Sequence, residues 1–571
     1  MFKIGKRRGK IKYERREKDI DPDEILLDSS NLPNFDVHQF EGRLEKPISI
    51  RSIFILGFVF LAIISIFVCK IWIFQVKDAS IYTQKSENNR LNHTLIFAKR
   101  GIIYDKNNIK LAWNGENPDE SGFDFRKYIS LDGFAHVLGY VKYPAKDNSG
   151  FYYTEVYSGK DGVEKFFDSN LAGENGLQLV EVNALGSVQS ESVIRPPQDG
   201  QDIKLSIDSG LQAKIYSTIS GLAKQVGFTG GAGVIMDVKT GEVLSLTSYP
   251  EYNPQILTDG SDTKTIQNYL TDKNKSFLDR VIDGLYTPGS IVKPYMAIAA
   301  QSEKVIDQYQ NILSTGSISL PNPYDPNNPS VFKDWRAQGY VDMRKALAVS
   351  SDVYFYEVGG GFQDQKGLGI ANIDKYMKMF GLGSPITSPF FKGVAGTIPT
   401  PEWKAANFNG EDWRIGDTYH TSIGQYGFQV SPIQMVRAVA SIANSGTLIE
   451  PSILLGGNPN ATKDGINLNL DSKYFQVVRE GMHDGVTKDY GVAKGLNSTQ
   501  YTIAAKTGTA ELGAYKQFVN SWITGFFPYE NPKYAFAILM EKGPVTNTMG
   551  GVYVMRQVMD WIAANRPEYV K

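Results

Sequence analysis

Three short patterns in this 571-residue chain carry hydroxyls, amines and a carboxylate at spacings that could serve nucleophilic catalysis. The first is Tyr286-Thr287-Pro288-Gly289-Ser290-Ile291-Val292-Lys293-Pro294. Pro-Gly is turn chemistry, and Tyr295 to Ala300 is helix-compatible. Pro294 is tolerated only in a helix's first turn. Ser290 and Lys293 are therefore predicted at a helix N-terminus, three residues apart on one face. A serine hydroxyl is a weak nucleophile that needs an adjacent base. A lysine amine can be that base when its pKa is depressed. The spacing also occurs at Ser261–Lys264 and Ser330–Lys333, in Pro- or Asp-rich polar stretches read as loops, where nothing fixes the pair.

The second pattern is Ser350-Ser351-Asp352 before Val353-Tyr354-Phe355-Tyr356. Ser-x-Asp can bring a hydroxyl and a carboxylate into a cleft, and it can equally be a helix cap, since both residues cap well. The third runs from Thr502 to Glu511 through Ala505-Lys506-Thr507-Gly508-Thr509. Lys506 offers fixed positive charge, Thr507 a hydroxyl, and Gly508 on a strand lets another backbone approach closely. The same tripeptide at Lys239-Thr240-Gly241 joins two apolar runs and reads as a hairpin turn.

The elements around these patterns suggest an α+β arrangement. Asp208 or Ser209 can cap a helix carrying Leu211, Ile215, Ile219 and Leu222 on one face. A hairpin across Lys239–Gly241 follows, and Phe518 to Phe527 and Tyr534 to Met540 read as strands before a closing helix, Val552 to Ala564. Upstream, Val76 to about Gly200 holds short strand-like runs, with Arg100 to Trp113 a strand, a turn and a second strand. Ser52 to Cys69 is apolar without a charge and continues past Lys70 to Val76, long enough to span a bilayer core. Nine Lys/Arg between Lys3 and Lys18 favour an inside N-terminus, while the charges flanking the span are balanced. No small-x-small cleavage site follows, so an uncleaved signal anchor is expected. The divisions expected are a cytoplasmic tail over 1–51, the anchor over 52–76, a mostly-β domain over 77–200 and a catalytic domain over 201–571.

Sixty Lys+Arg against 61 Asp+Glu leave no basic field for nucleic acid. The lone Cys69 excludes an intrachain disulfide, and His38, His93, His136, His420 and His483 form no i,i+4 metal pair. There is no GxSxG elbow and no P-loop.

Taken together, Ser-x-x-Lys, Ser-x-Asp and Lys-Thr-Gly stand in that order, about 60 and then 155 residues apart. This resembles the penicillin-binding proteins and serine β-lactamases. Arg100 to Asn108 and Gly159 to Gly176 look like the pedestal, or dimerisation-type domain, of class B penicillin-binding proteins. Asp237 to Pro254, Gly416 to Tyr426 and Phe527 to Glu541 look like their transpeptidase domain. Ser-x-Asp followed by Tyr-Phe-Tyr resembles the elongation type, the penicillin-binding protein 2 family, where division enzymes usually carry Ser-x-Asn. The fold implied is a single transmembrane helix plus α+β: a mostly-β pedestal, then an antiparallel sheet flanked by helices.

The resemblance implies a peptidoglycan D,D-transpeptidase of cell elongation in the bacterial cytoplasmic membrane, single-pass, with its catalytic domain outside. Ser290 would attack the carbonyl between two terminal D-alanines of a stem peptide, and an amine on a neighbouring stem would resolve the acyl-enzyme. Lys293, neutral at rest, would take the Ser290 proton. Ser350 would relay a proton to the leaving amine, and Asp352 would hold the lysine and substrate amide. Lys506 and Thr507 would bind the terminal carboxylate, Gly508 would admit the substrate, and the backbone N–H groups of Ser290 and Thr509 would form an oxyanion hole. β-Lactams would be covalent inhibitors. A SEDS-family, RodA-type glycosyltransferase and other elongation-complex proteins would be partners, and no cofactor is implied. Some elongation enzymes resemble a zinc-bearing variant with His and Cys near the second motif. Asp334 to Tyr340 has neither, so no metal is expected. A division transpeptidase, a D,D-carboxypeptidase and a β-lactamase-like hydrolase share the acylation step and remain alternatives.

Overall fold

The computed structural model describes residues 49–83, 91–117, 122–148, 152–182, 188–322, 325–386, 388, 390–457, 465–513 and 515–571. The basic cluster Lys3 to Lys18, and the expected tail up to residue 48, lie outside the described residues.

The N-terminal unit is an apolar helix. Ser49 Oγ accepts from the Ser52 amide and caps Ile50–Trp72, which continues into a π-helical turn, Ile73–Lys77. At about 1.5 Å per residue the α-helical part alone is some 35 Å long, against a bilayer core of about 30 Å. None of its apolar side chains is covered by protein. Among the described residues this is the one helix of membrane-spanning length and composition.

The second unit begins with a small four-stranded sheet, in the order Ile203–Lys204, Ile103–Tyr104, Lys110–Gly115, Phe125–Tyr128. The turn at Asp105–Asn108 forms as expected: Asp105 accepts the amides of Asn107 and Ile109, and Asn108 takes φ 65°. Under this sheet lies a fully buried ion triad. Glu164 receives Arg100 Nε at 2.7 Å on one oxygen and Arg126 Nε at 2.7 Å on the other, and Arg100 also reaches Asp168 at 2.7 Å. The pedestal-like segments quoted from the sequence are thus tied together, Arg100 at the start of one to Glu164 and Asp168 within the other.

Asp105 also fastens this part to the next, accepting Ser209 Oγ at 2.7 Å. Asp208 caps Ser209–Val226, and Leu211, Ile215, Ile219 and Leu222 are buried on one face. That face packs on a five-stranded antiparallel sheet in the order Val243–Tyr249, Gly230–Asp237, Tyr534–Pro544, Phe518–Phe527, Ala504–Leu512. Period-two alternation separates two cores. Phe536, Ile538 and Met540 join Ser209–Val226 and the closing helix Gly551–Asn565 on one side. Ala535, Ala537 and Leu539 face Pro432–Ala443 on the other, in the core that also takes in Lys293–Ser302. Gly231 and Gly233 permit the close helix approach: a Cβ there would sit 2.6 and 2.5 Å from Ile219 and Ile215 methyls.

The Lys239–Gly241 hairpin turn forms, with Asp237 accepting the Lys239 and Thr240 amides. The two other Ser-x-x-Lys copies differ from expectation in part: Ser261 is in a loop but Lys264 is helical, and Ser330–Lys333 is a strand. Asp262 caps the helix Thr263–Thr271, which carries an exposed Lys264. Ser330–Lys333 is a strand paired with Ser317–Leu320, where residues three apart point to opposite faces.

Candidate active site

The turn before Ser290 is held by backbone. Trp522 Nε1 donates to Thr287 O at 3.0 Å, and Gly289 N donates to Gly424 O at 3.0 Å. Gly289 has φ +58°, and a Cβ there would lie 2.7 Å from Thr509 O. Gly289–Val292 is a 3-10 turn that passes directly into the α-helix Lys293–Ser302, with Pro294 in its first turn. Ser290 is half-buried, whereas Lys293 is fully buried. The predicted helix start is correct, with Ser290 in the tighter turn that precedes it.

Lys293 Nζ donates to Asp352 Oδ1 at 2.6 Å, to Ser350 O at 2.8 Å and to Ser350 Oγ at 3.4 Å, and lies 5.5 Å from the centre of the Phe355 ring. The Asp352 carboxylate thus stands against Lys293, the residue the resemblance implies it would hold.

Ser350 ends the helix Met343–Val349 in the left-handed region, φ 57° and ψ 42°. Asp352–Gly360 starts two residues later, and its cap is Ser351, whose Oγ accepts the Tyr354 amide at 3.3 Å. The cap reading holds for Ser351, while the Ser350 side chain points to Lys293 and Lys506. Because Ser351 takes the capping duty, Ser350 Oγ is free to face the lysines.

Lys506 comes from the edge strand Ala504–Leu512. Its Nζ donates to Ser350 Oγ at 2.7 Å and Thr507 O at 2.9 Å. Burial, and then the charge of Lys293, hold the Lys506 amine well below the ordinary lysine range, with Asp352 opposing. Burial raises the Asp352 carboxyl, and Lys293 pulls it back. Gly508 packs on the nucleophile turn, where a Cβ would meet Pro288 O and Ile291 Cγ2 at 2.8 Å. The close backbone approach predicted for Gly508 is thus made by the protein itself. Thr507 is half-buried and Thr509 exposed.

The structure therefore gathers Ser350, Asp352, Lys293 and Lys506 into one hydrogen-bonded cluster, with Ser290, Gly508 and Thr509 along its turn and strand walls. Sequence reasoning missed Ser351, Gly424 and Trp522. A doubled serine was the available sign of the first; Trp522 sits in an ordinary strand alternation and gave none. Among the described residues, no group of three or more His, Cys, Asp or Glu is arranged to hold a metal.

A fold of this kind with this cluster defines a class. The family model described as the penicillin binding protein transpeptidase domain matches residues 231–560, and the penicillin-binding protein dimerisation domain matches 124–205. The chain belongs to the class B penicillin-binding proteins, and within them to the penicillin-binding protein 2 group. The Escherichia coli peptidoglycan D,D-transpeptidase MrdA is 31% identical over 477 residues, covering 77% of this chain and 71% of that protein. The Pseudomonas aeruginosa PBP2 structure in complex with WCK 5153 aligns with TM-score 0.69 at 28% identity, over 84% of this chain and 98% of that one. The Helicobacter pylori PBP2 complex with MreC aligns with TM-score 0.69 at 26% identity, over 84% and 99%.

Proposed function

We propose that this chain is a peptidoglycan D,D-transpeptidase of the elongation type, which cross-links stem peptides through an acyl-enzyme on Ser290. The observation that carries the reading is the convergence of Lys293 and Lys506 on one Ser350 hydroxyl beside the Ser290 turn. Relatives named D,D-transpeptidase support it.

In this mechanism Ser290 Oγ attacks the carbonyl between the terminal D-alanines, and its proton passes to Lys293. Asp352 Oδ1 accepts from Lys293 Nζ at 2.6 Å and holds the amine in place. Ser350, whose hydroxyl accepts from Lys506, relays a proton to the leaving D-alanine nitrogen. Lys506 and Thr507 hold the terminal carboxylate. Backbone N–H groups of Ser290 and Thr509 receive the oxyanion, where one such donor is commonly worth about 2.7–4 kcal/mol. A stem-peptide amine then attacks the acyl-enzyme.

The apolar helix would anchor the enzyme with its N-terminus inside and its catalytic body outside. The divisions at 51, 76 and 200 are proposed as the limits of tail, anchor and pedestal. The MreC complex of the Helicobacter pylori relative supports membership of an elongation assembly. A SEDS-family polymerase is the partner inferred for the anchor and tail.

The test is labelling with fluorescent penicillin, followed by mass spectrometry of the adduct. The label should sit on Ser290 and vanish in Ser290→Ala. Lys506→Ala should lower labelling strongly, while Lys239→Ala should not. An adduct on Ser261 or Ser330 would overturn the assignment. Pull-down with and without residues 1–100 tests the polymerase contact, and recovery of division-site partners only would move the reading to the division type.

A further inference from the structure

Ser350 occupies a backbone region that costs a non-glycine residue about 1–2 kcal/mol. The end of its own helix contributes to holding it there: the Ser350 amide donates to Ala346 O and Leu347 O, and the Ser351 amide to Ala346 O at 3.0 Å. One dipeptide, outside both helices, grips the chain on either side of it. Trp335 Nε1 donates to Val349 O at 3.1 Å, the residue before Ser350. Asp334 Oδ2 accepts Ser351 Oγ at 2.8 Å and the Val353 amide at 3.1 Å, just after it. Ser314 Oγ at 3.2 Å and the Trp335 amide at 2.8 Å complete the carboxylate's partners. Asp334 is itself fixed, its amide donating to Gly316 O at 2.9 Å.

The carboxylate is a costly choice for a purely structural acceptor. Asp334 is 9% exposed, and its charge repels that of Asp352. The helix after Ser350 already has a serine cap, which needs no anion to work. Trp335 is half exposed with the Arg336 guanidinium 4.3 Å over its ring, so its main buried commitment is the indole N–H.

We propose that Asp334 and Trp335 are positioning residues: a clamp that brackets Ser350 so that its hydroxyl stays between Lys293 and Lys506 during acylation. The inference rests on the transpeptidase reading and adds two residues that touch neither substrate nor nucleophile. A clamp of this kind acts on the chemical step, because a small misplacement of a reacting group can cost about 100-fold in rate.

The experiment measures penicillin acylation of the full chain at saturating drug, separating the acylation rate constant from the binding constant. Asp334→Asn and Trp335→Phe should each slow acylation about 10- to 100-fold and leave binding nearly unchanged. In a Ser350→Ala background neither should slow it further. The groups facing Asp352 are Lys293, Lys506, Asp334 and His420 from other elements and Tyr356 from its own helix. Loss of the Asp334 charge lets Asp352 ionise more readily, so the acid limb of the Asp334→Asn profile should move to lower pH. Trp335→Phe, which removes no charge, should leave that limb in place. Thermal unfolding of Trp335→Phe serves as the fold control and should be near parental. Normal acylation in both variants, full additivity with Ser350→Ala, or an effect confined to binding would overturn the clamp while Ser290 labelling in the parent still stands. Absence of a Ser290 adduct in the parent would overturn the functional reading and the clamp's role with it.

Discussion

Replacing Lys506 by methionine should stabilise the protein while removing most of its acylation. Lys506 is 1% exposed, and its amine is held well below the ordinary lysine range, chiefly by burial. Exchanging a buried charge for an apolar chain of similar length is often worth about 1–4 kcal/mol. Against this, Ser350 Oγ and Thr507 O each lose a donor, at about 1–3 kcal/mol if left dry. Ser350 Oγ keeps Lys293 at 3.4 Å, and Thr507 is half-buried, within reach of water, so the loss falls at the low end. With about 1 kcal/mol lost in all, the net gain at neutral pH should be about 0–3 kcal/mol.

The pH dependence gives the sign. At and below the lowered pKa, the folded lysine bears its full penalty. Between there and about 10.4 the unfolded chain holds the proton and the folded chain does not, so parental stability climbs with pH by up to about 1.4 kcal/mol per pH unit. The methionine variant lacks that slope. Its advantage should be largest at low pH and gone by about pH 10.4. Thermal unfolding of both proteins from pH 6 to pH 10 measures this, beside penicillin labelling at pH 7, which should fall about 100-fold or more. A variant less stable at neutral pH, or an advantage that grows with pH, would refute the reasoning.

Glu164→Ala should cost about 3–5 kcal/mol, because it strands the buried Arg100 and Arg126 guanidiniums; chemical denaturation showing under 1 kcal/mol would mean that water or Asp168 takes over. Gly508→Ala should slow acylation and cost about 1–3 kcal/mol by pushing Pro288 and Ile291 off the strand, read by labelling and unfolding together. Burial, with the Arg280 charge second, lowers His136 to about 3. The unfolded histidine takes a proton near pH 6.5 and the folded one does not, so stability is lost as pH falls from 6.5 towards 3. His136→Phe, which keeps the contact with the Tyr252 ring, should remove much of that acid loss, on the order of 4 kcal/mol; an unchanged acid profile would show that another group governs it.

What could be read from the sequence was whatever is encoded locally. The cap and buried face of Ser209–Val226, the Lys239–Gly241 turn and the strand Phe518–Phe527 follow from residues within one element. The turn-to-helix context set Ser290 apart from its decoys, and chain order with the hairpin context set Lys506 apart from Lys239. Nothing local to Lys293 announces its partner Asp352, which only the family resemblance set beside it, and nothing near Arg100 announces Glu164, because these partners meet only through the fold. Only the motif resemblance told Ser350 from Ser351; local residues did not, since the distinction lies in one residue's left-handed backbone. Ser330–Lys333 was misread because its polar residues belong to an exposed two-stranded ribbon, which needs no apolar alternation.

The order of strands in the central sheet has a consequence for how the enzyme is made. The hairpin Gly230–Tyr249 pairs with Tyr534–Pro544, from the far end of the chain. At about 5–20 residues per second, synthesis from Tyr249 to Tyr534 takes about 15–60 s. Through that interval the Gly230–Asp237 strand has one edge without its partner, an apolar template for mispairing. Lys506 also arrives late, so Ser290 is made well before the groups that would activate it. The nascent enzyme is vulnerable to aggregation and inert as an acyl acceptor at the same time, and both conditions end when the last strands dock.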